Sequence, residues 1–352
     1  PGEVAPVTQL RDLQGDAAHP RVPRPSPIAV AAVDPLVGPF PVPGPAEVLV
    51  RVEAAALNPI DTYIRAGSVR FPLPNPYIPG CDLAGTVVAT GPESVFKVGD
   101  RVWGSNQGLF GRQGTFAEYC AVDQRWLYHI PPAVSARAAA AGALVGITAH
   151  LGLFLHGGLQ AGETVFVNGG SGGVGSAVVQ LAKATGAVVI TTAGSPEKAE
   201  LCRQSGADHV ILYREQNIDQ RFTEIIAQTG PIHLWFETLR MPALDRSIPL
   251  MAMRGRFIFM AGRDSRPEFP LGPFYVRDLR AIGFAMFNAS ATEQKLAAEH
   301  LNIMLADGRF KPAVGAEFSI ENTAQAHLLQ ELKTVRNESS LHGKILILPE
   351  ST

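Results

Sequence analysis

In the first third of the chain, apolar residues come in short β-branched or aromatic runs: Glu47 to Val52, Leu83 to Ala89 and Phe116 to Val122. Pro72, Pro74, Pro76, Pro79 and Gly80 punctuate them, which predicts a compact all-β unit. Val98-Gly99-Asp100-Arg101-Val102 predicts a tight turn feeding a strand. At Ser135 the pattern changes, and the alanine-rich stretch Ala136 to Leu155 predicts a helix ending near Gly157-Gly158.

From there strand and helix patterns alternate. Strands are predicted at Thr164 to Val167, Val188 to Thr192, Val210 to Leu212, Ile232 to Phe236, Phe257 to Met260 and Ala281 to Phe284. Helices are predicted at Gly173 to Thr185, Pro196 to Ser205, Ile218 to Ala227 and Ala243 to Met253. Ser195 as N-cap, Pro196 at the first helical position and Gly206 just beyond sharpen the second of these. Such alternation implies an α/β fold with a doubly wound parallel sheet covered on both faces. A helix at Thr292 to Ala306, a mixed tail and a strand at Lys344 to Leu348 follow, so the β-rich first unit reads as discontinuous.

Composition narrows the function classes. With 46% hydrophobic and 18% charged residues, 352 residues can bury a sizeable core over about two domains. Lys plus Arg (30) nearly balances Asp plus Glu (32), which argues against nucleic acid or an anionic membrane surface. No apolar run is expected to cross a bilayer, because Arg, Glu, Gly or Pro interrupts each candidate. The lead-in Pro1 to Pro27 is polar and proline-bearing, without the apolar core of a signal peptide. Cys81, Cys120 and Cys202 are widely spaced, which fits neither a disulfide framework nor a four-thiolate zinc site and points to a reducing cytoplasm.

The strongest local signal is Val165 to Gly175, which holds G-x-G-x-x-G as Gly170, Gly172 and Gly175 between a predicted strand and helix. Those glycines serve a tight turn, backbone approach to a pyrophosphate and helix-on-strand packing, and the helix N-terminus offers its free amides to the phosphates. A site for NAD would place an acid at the end of the next strand. Here the run is Thr191-Thr192-Ala193-Gly194-Ser195, followed by Lys198 and by Tyr213-Arg214, cations and hydroxyls that suit a 2′-phosphate. The plainer use of Lys198 is as a solvated helix residue, although a cation in a first turn opposes the helix dipole.

Ala55 to Gly67, containing Asn58-Pro59-Ile60-Asp61-Thr62-Tyr63-Ile64-Arg65-Ala66-Gly67, closely resembles the N-P-x-D-T-Y-I-R-x-G segment of quinone oxidoreductases related to zeta-crystallin. Pro79 to Gly85, Gly99 to Val102, Ala117 to Tyr119, Gly169 to Gly175 and Gly343 to Ile347 match in the same order. The resemblance spans roughly residues 45 to 348 of this zinc-independent branch of the medium-chain dehydrogenase/reductases. It implies a GroES-like catalytic domain (1–146 and 288–352) with an inserted Rossmann NADPH-binding domain (147–287), and a homodimer. It implies Asn58, Asp61 and Tyr63 as catalytic residues and Thr148 beside them at the nicotinamide end. It implies Gly170, Ser171, Gly172, Gly173, Val174, Gly175, Ser195, Lys198, Tyr213, Gly262 and Arg336 around the rest of the cofactor. One departure is Ser68-Val69 after Gly67, where many relatives carry a tyrosine two positions beyond the glycine.

Where zinc relatives carry ligands, this chain resembles them only at Cys81-Asp82, with Asn58 and Leu144 at the other positions. Two ligands do not make a tetrahedral catalytic site, so no metal is expected, and Cys81 and Asp82 read as a small buried thiol and a turn carboxylate. Without a Lewis acid, a conjugated acceptor that delocalises its charge is easier to reduce than a simple ketone. The expected partner is therefore a small-molecule quinone. Reduction of the activated C=C bond of an enone or enoyl thioester is the alternative enzyme reading. A non-catalytic dinucleotide-binding protein on the same fold is a third. Phe71, Tyr77, Trp103, Phe110 and Phe287 are candidates to wall an apolar pocket, and the nine histidines show no metal-binding or catalytic spacing.

Overall fold

The computed structural model describes residues 40–336 and 338–349. The polar lead-in lies outside the described residues. Two sheets organise the rest. Strands β1 (Glu47–Leu57), β2 (Asp82–Thr90), β3 (Arg101–Gly104), β4 (Tyr119–Asp123), β5 (Leu127–His129), β12 (Val314–Ser319) and β13 (Lys344–Leu348) form a mixed sheet in the order β12-β13-β1-β2-β3-β5, with β4 also paired to β1. Strands β6 (Thr164–Asn168), β7 (Val188–Ala193), β8 (His209–Leu212), β9 (Ile232–Glu237), β10 (Met251–Phe259) and β11 (Arg280–Gly283) form the second, in the order β11-β10-β9-β6-β7-β8. Every pairing in the second sheet is parallel. Its order is that of two mononucleotide-binding halves back to back, with the topological switch between β6 and β9.

The sheets are joined by α2 (Ala136–His150), whose alanines pack against β1 and β2 on one side and α3 (Gly173–Ala184) on the other. A π-helical turn, Leu151–His156, continues it, so the apolar rod runs from Ala136 to His156. By length and composition this rod is able to span a bilayer, contrary to the expectation that interruptions forbid it. It is instead the mostly buried core helix of the protein, with Ala139 to Ala143 and Val145 to Ala149 packed inside. Position 147 falls within α2, so this helix serves both halves.

The predicted βα alternation is present, with α3, α4 (Pro196–Gln204) and α5 (Ile218–Thr229) between strands. The helix expected over Ala243 to Met253 is much shorter. Only α6 (Leu244–Ser247) is α-helical, and a 3-10 turn at Ile248–Leu250 leads straight into β10. Pro249 explains this, since it lacks an N–H and its ring clashes with the preceding helical turn. The strand expected from Phe116 begins at Tyr119, because the backbone amides of Thr115 and Phe116 are taken by Gly80 and Pro79 carbonyls.

The first unit is not purely β. Helix α1 (Pro59–Arg65) follows β1, and α9 (Thr323–Thr334) packs on it from the chain's far end. Seven residues span less than two full periods of apolar repetition, so α1 leaves little periodic signal. The Arg65 guanidinium and the Glu331 carboxylate form a part-buried ion pair that ties α1 to α9. Helices α7 (Leu271–Val276) and α8 (Ala291–Ala306) complete the chain.

Candidate active site

The glycine loop leaves β6 at Asn168 and enters α3 at Gly173. Gly169 adopts φ +83°, which side-chain-bearing residues rarely do. A Cβ on Gly170 would stand 2.2 Å from Thr191 Oγ1 on β7, and one on Gly175 would stand 2.1 Å from the Gly169 carbonyl. Gly172 is different: its nearest neighbour would be 3.3 Å away, so its outer side is open. The loop is pinned below, where the Gly169 and Gly170 amides donate to Thr192 and Thr191 hydroxyls, each at 2.9 Å. The first-turn amides of α3, from Gly173, Val174 and Gly175, have no intrahelical acceptor and are available to an anion. The fit to a dinucleotide pyrophosphate is therefore good. The Ser171 carbonyl accepts from His342 Nδ1 at 3.1 Å.

At the end of β7, Gly194 lies under the Tyr213 hydroxyl, and Ser195 caps α4 by accepting from the Lys198 amide at 3.3 Å. The guanidinium of Arg214 stands 5.8 Å from the Tyr213 ring. The acid of that first turn, Glu197, is fully exposed, and the Ser195 hydroxyl holds its carboxyl below the usual range. Lys198 reaches toward a basic group that sequence reasoning did not single out. Burial, then the charges of Lys344 and Lys198, lowers Lys333 to about 8, and burial, Lys333 and Lys198 also depress His342. Arg336 lies exposed just beyond α9, and Thr148 on α2 carries a buried hydroxyl with no partner among the described residues.

Beneath α1 lies a buried polar centre. Asn58, fully buried, caps α1; its Nδ2 donates to the Ala56 carbonyl at 3.1 Å and to Asp82 Oδ2 at 2.8 Å. Its Oδ1 accepts from the Lys344 ammonium, which also donates to the Leu57 carbonyl at 2.9 Å. Asp82, the first residue of β2 rather than a turn carboxylate, takes a further bond from Ser105 at 2.6 Å. Burial raises the Asp61 carboxyl to about 7, against the opposing Asn58 N–H bond at 2.8 Å. Burial likewise pushes the neighbouring Cys81 thiol up and the Lys344 ammonium down, the latter opposed by Asp82 and Asp61. These residues do not fit a zinc ion: the Asn58 amide donates to Asp82, and the Lys344 ammonium, bonded to Asn58, already places a positive charge beside the carboxylates. Lys344 lies within the family-like segment Gly343 to Ile347, but only the fold brings it under Asn58.

Above this centre, the Tyr63 hydroxyl accepts from Arg240 Nη2, whose guanidinium carbon stands 5.6 Å from the Tyr63 ring centroid. Arg240 follows β9, and Gly262 follows β10 with φ +87°, where a Cβ would stand 2.6 Å from the Arg240 carbonyl. Arg263 donates to the Ser68 carbonyl beyond α1. Phe71, Phe110 and Phe287 meet edge-on, with centroids 4.6, 5.7 and 6.0 Å apart, and Phe71 and Phe287 belong to an apolar cluster with Tyr77, Cys81 and Leu144. Trp103 belongs elsewhere. It packs in the core against Tyr128 and donates to Asn302 at 2.9 Å, because it sits mid-sheet on β3.

A switch-point sheet with this loop, joined to a mixed β-sheet unit, defines a nicotinamide-dependent oxidoreductase of the medium-chain dehydrogenase/reductase superfamily. Residues 44–132 match the alcohol dehydrogenase GroES-like domain, and residues 173–302 match the family described as zinc-binding dehydrogenase. The chain is 32% identical over 310 residues to a human quinone oxidoreductase, covering 88% of this chain and 91% of that protein. It is 33% identical over 258 residues to a phthioceranic/hydroxyphthioceranic acid synthase of Mycobacterium tuberculosis, covering 72% of this chain and 12% of the synthase. Its fold superposes on Escherichia coli quinone oxidoreductase complexed with NADPH, with TM-score 0.79, 25% identity and coverage of 92% and 98%. The chain belongs to the quinone oxidoreductase family of that superfamily.

Proposed function

We propose that the protein is an NADPH-dependent quinone reductase that works without a metal. The observation that carries this reading is the Lys344–Asn58–Asp82 network. It fills the position of a polarising ion with a fixed ammonium and leaves a site suited to acceptors that delocalise their own charge. NADPH, bound along the glycine loop, supplies a hydride. Gly170 to Gly175 hold the pyrophosphate; Ser195, Lys198 and Tyr213 bind the 2′-phosphate; Arg336 and Gly262 border the cofactor. Thr148, whose buried hydroxyl has no partner among the described residues, is the proposed hydrogen-bonding group at the nicotinamide end. Tyr63 offers the acceptor an aromatic face and a hydroxyl. Asn58 and Asp61, both fully buried, act by holding α1 and the charge beneath it rather than by touching the acceptor.

The domains proposed are residues 1–146 with 288–352, and 147–287, meeting where Arg240 bridges to Tyr63. A homodimer is proposed too. Strand β11 is a sheet edge, and Met253, Leu271, Tyr275 and Val276 are each over 60% exposed, an apolar margin that a second copy would cover. Three buried free thiols suit a reducing cytoplasm.

The second reading, reduction of an activated C=C bond, is favoured by the Tyr63 hydroxyl, which is able to protonate a carbanion. Tyr63→Phe tests the choice. A quinone reductase keeps appreciable quinone turnover, whereas an enone reductase loses about 10²–10⁴-fold. Tyr63→Ala weakens the acceptor in either case.

A further inference from the structure

We infer that Arg240 is a catalytic residue: with Tyr63 it forms the electrophilic site that receives the acceptor's developing oxyanion. The inference rests on the quinone-reductase reading for its chemistry, but its location is independent of family likeness. Arg240 lies just past the carboxyl end of β9, beside β6 at the switch point of the parallel sheet, where ligands of open α/β sheets bind. From there it crosses to α1, which follows the mixed sheet, donating to the Tyr63 hydroxyl and standing over its ring.

Two features mark this as more than a surface contact. The loop carrying Arg240 is braced, because Gly262 approaches the Arg240 carbonyl too closely for any Cβ. A second bridge, Arg263 to the Ser68 carbonyl, holds the adjoining segment, and Val69 in turn bonds the Tyr63 carbonyl at 3.2 Å. Val69 packs with Phe71 and Phe287, so the apolar wall continues from the cation. A planar conjugated acceptor with its ring against that wall places a carbonyl oxygen toward the Arg240–Tyr63 pair.

The reaction needs such a group. NADPH, when bound, would supply a hydride; a quinone accepting it, hydrogen and electron pair together, at one carbonyl oxygen would carry the negative charge on the other, and one proton from solvent would complete the hydroquinone. Zinc relatives meet that charge with a Lewis acid. Here the buried ammonium of Lys344 is taken up by the Leu57 carbonyl and the Asn58 side-chain oxygen, leaving the guanidinium of Arg240 to meet it.

The experiment compares wild type with Arg240→Met and Arg240→Lys by two readouts. In single turnovers of NADPH with a benzoquinone, Arg240→Met is expected to slow the hydride step about 10²–10³-fold, as loss of an oxyanion donor does. Arg240→Lys recovers part of that loss, and NADPH affinity measured by fluorescence stays near wild type. Separately, 4-nitrophenol serves as an oxyanion probe, and wild type favours its yellow phenolate form more strongly than Arg240→Met does. An unchanged hydride step overturns the inference, as does equal phenolate formation in both proteins. So does a loss confined to NADPH affinity, which makes Arg240 a cofactor clamp. A wild type that binds the phenolate through Arg240 yet reduces no quinone refutes the proposed function while upholding the anion site.

Discussion

The ammonium of Lys344, on the last strand, donates to the side-chain oxygen of Asn58, 286 positions earlier in the chain. Both are buried, and the pair fixes which way the Asn58 amide faces. Lys344→Met therefore leaves Asp82 and Asp61 without their cation, and removing one partner of a buried charged set costs about 3–5 kcal/mol. Urea unfolding near neutral pH should show that loss. A midpoint within error of wild type would mean that the network contributes nothing to the fold.

The same network sets an expectation for metal content. Purified protein should carry no stoichiometric zinc by elemental analysis, and strong chelators should leave turnover intact. Bound zinc whose removal abolishes activity would show that the carboxylates serve as ligands after all.

Lys198 tests the 2′-phosphate end. Lys198→Ala should raise the NADPH dissociation constant about tenfold or more, since a charge-assisted bond contributes about 1.5–3 kcal/mol. NADH affinity should barely move. Equal losses for both cofactors would return Lys198 to the role of a solvated helix residue.

His327 gives a pH signature. It is buried on α9, with neither ring nitrogen hydrogen-bonded among the described residues, near Arg65 and edge-on to Phe116, while Glu331 pairs with Arg65. Burial, then the Arg65 charge, lowers its pKa from 6.5 to about 3. A depressed histidine binds fewer protons folded than unfolded, so its contribution is intact above about 6.5 and lost as pH falls toward 3. His150, lowered to about 4 by burial and His300, acts in the same direction. Between neutral pH and about pH 5, His327→Leu should lose about 2 kcal/mol less stability than wild type. Parallel pH profiles for the two proteins would contradict the assignment.

Much of this architecture is legible in the sequence where local rules decide it. The Gly170–Gly175 loop, the Ser195–Pro196 helix start and strand Lys344–Leu348 each carry a short-range signal, and each stands where expected. Helix Ala243 to Met253 misleads because its apolar run suits helix and strand alike, and Pro249 decides it. The polar centre is less legible. Asn58 and Asp61 carry a recognisable segment, but their partner Lys344 and the Arg240 bridge to Tyr63 are joined only by tertiary folding. No spacing rule links residues so far apart, and a lone Arg after a strand looks like any solvated loop residue.

The most direct test of the account is kcat/KM of the wild-type protein for a benzoquinone, measured with NADPH and with NADH, beside an enone under the same conditions. The account predicts ready quinone reduction, a clear preference for NADPH and weaker turnover of the enone. Strong enone reduction with negligible quinone activity would contradict it and make the C=C reductase reading correct.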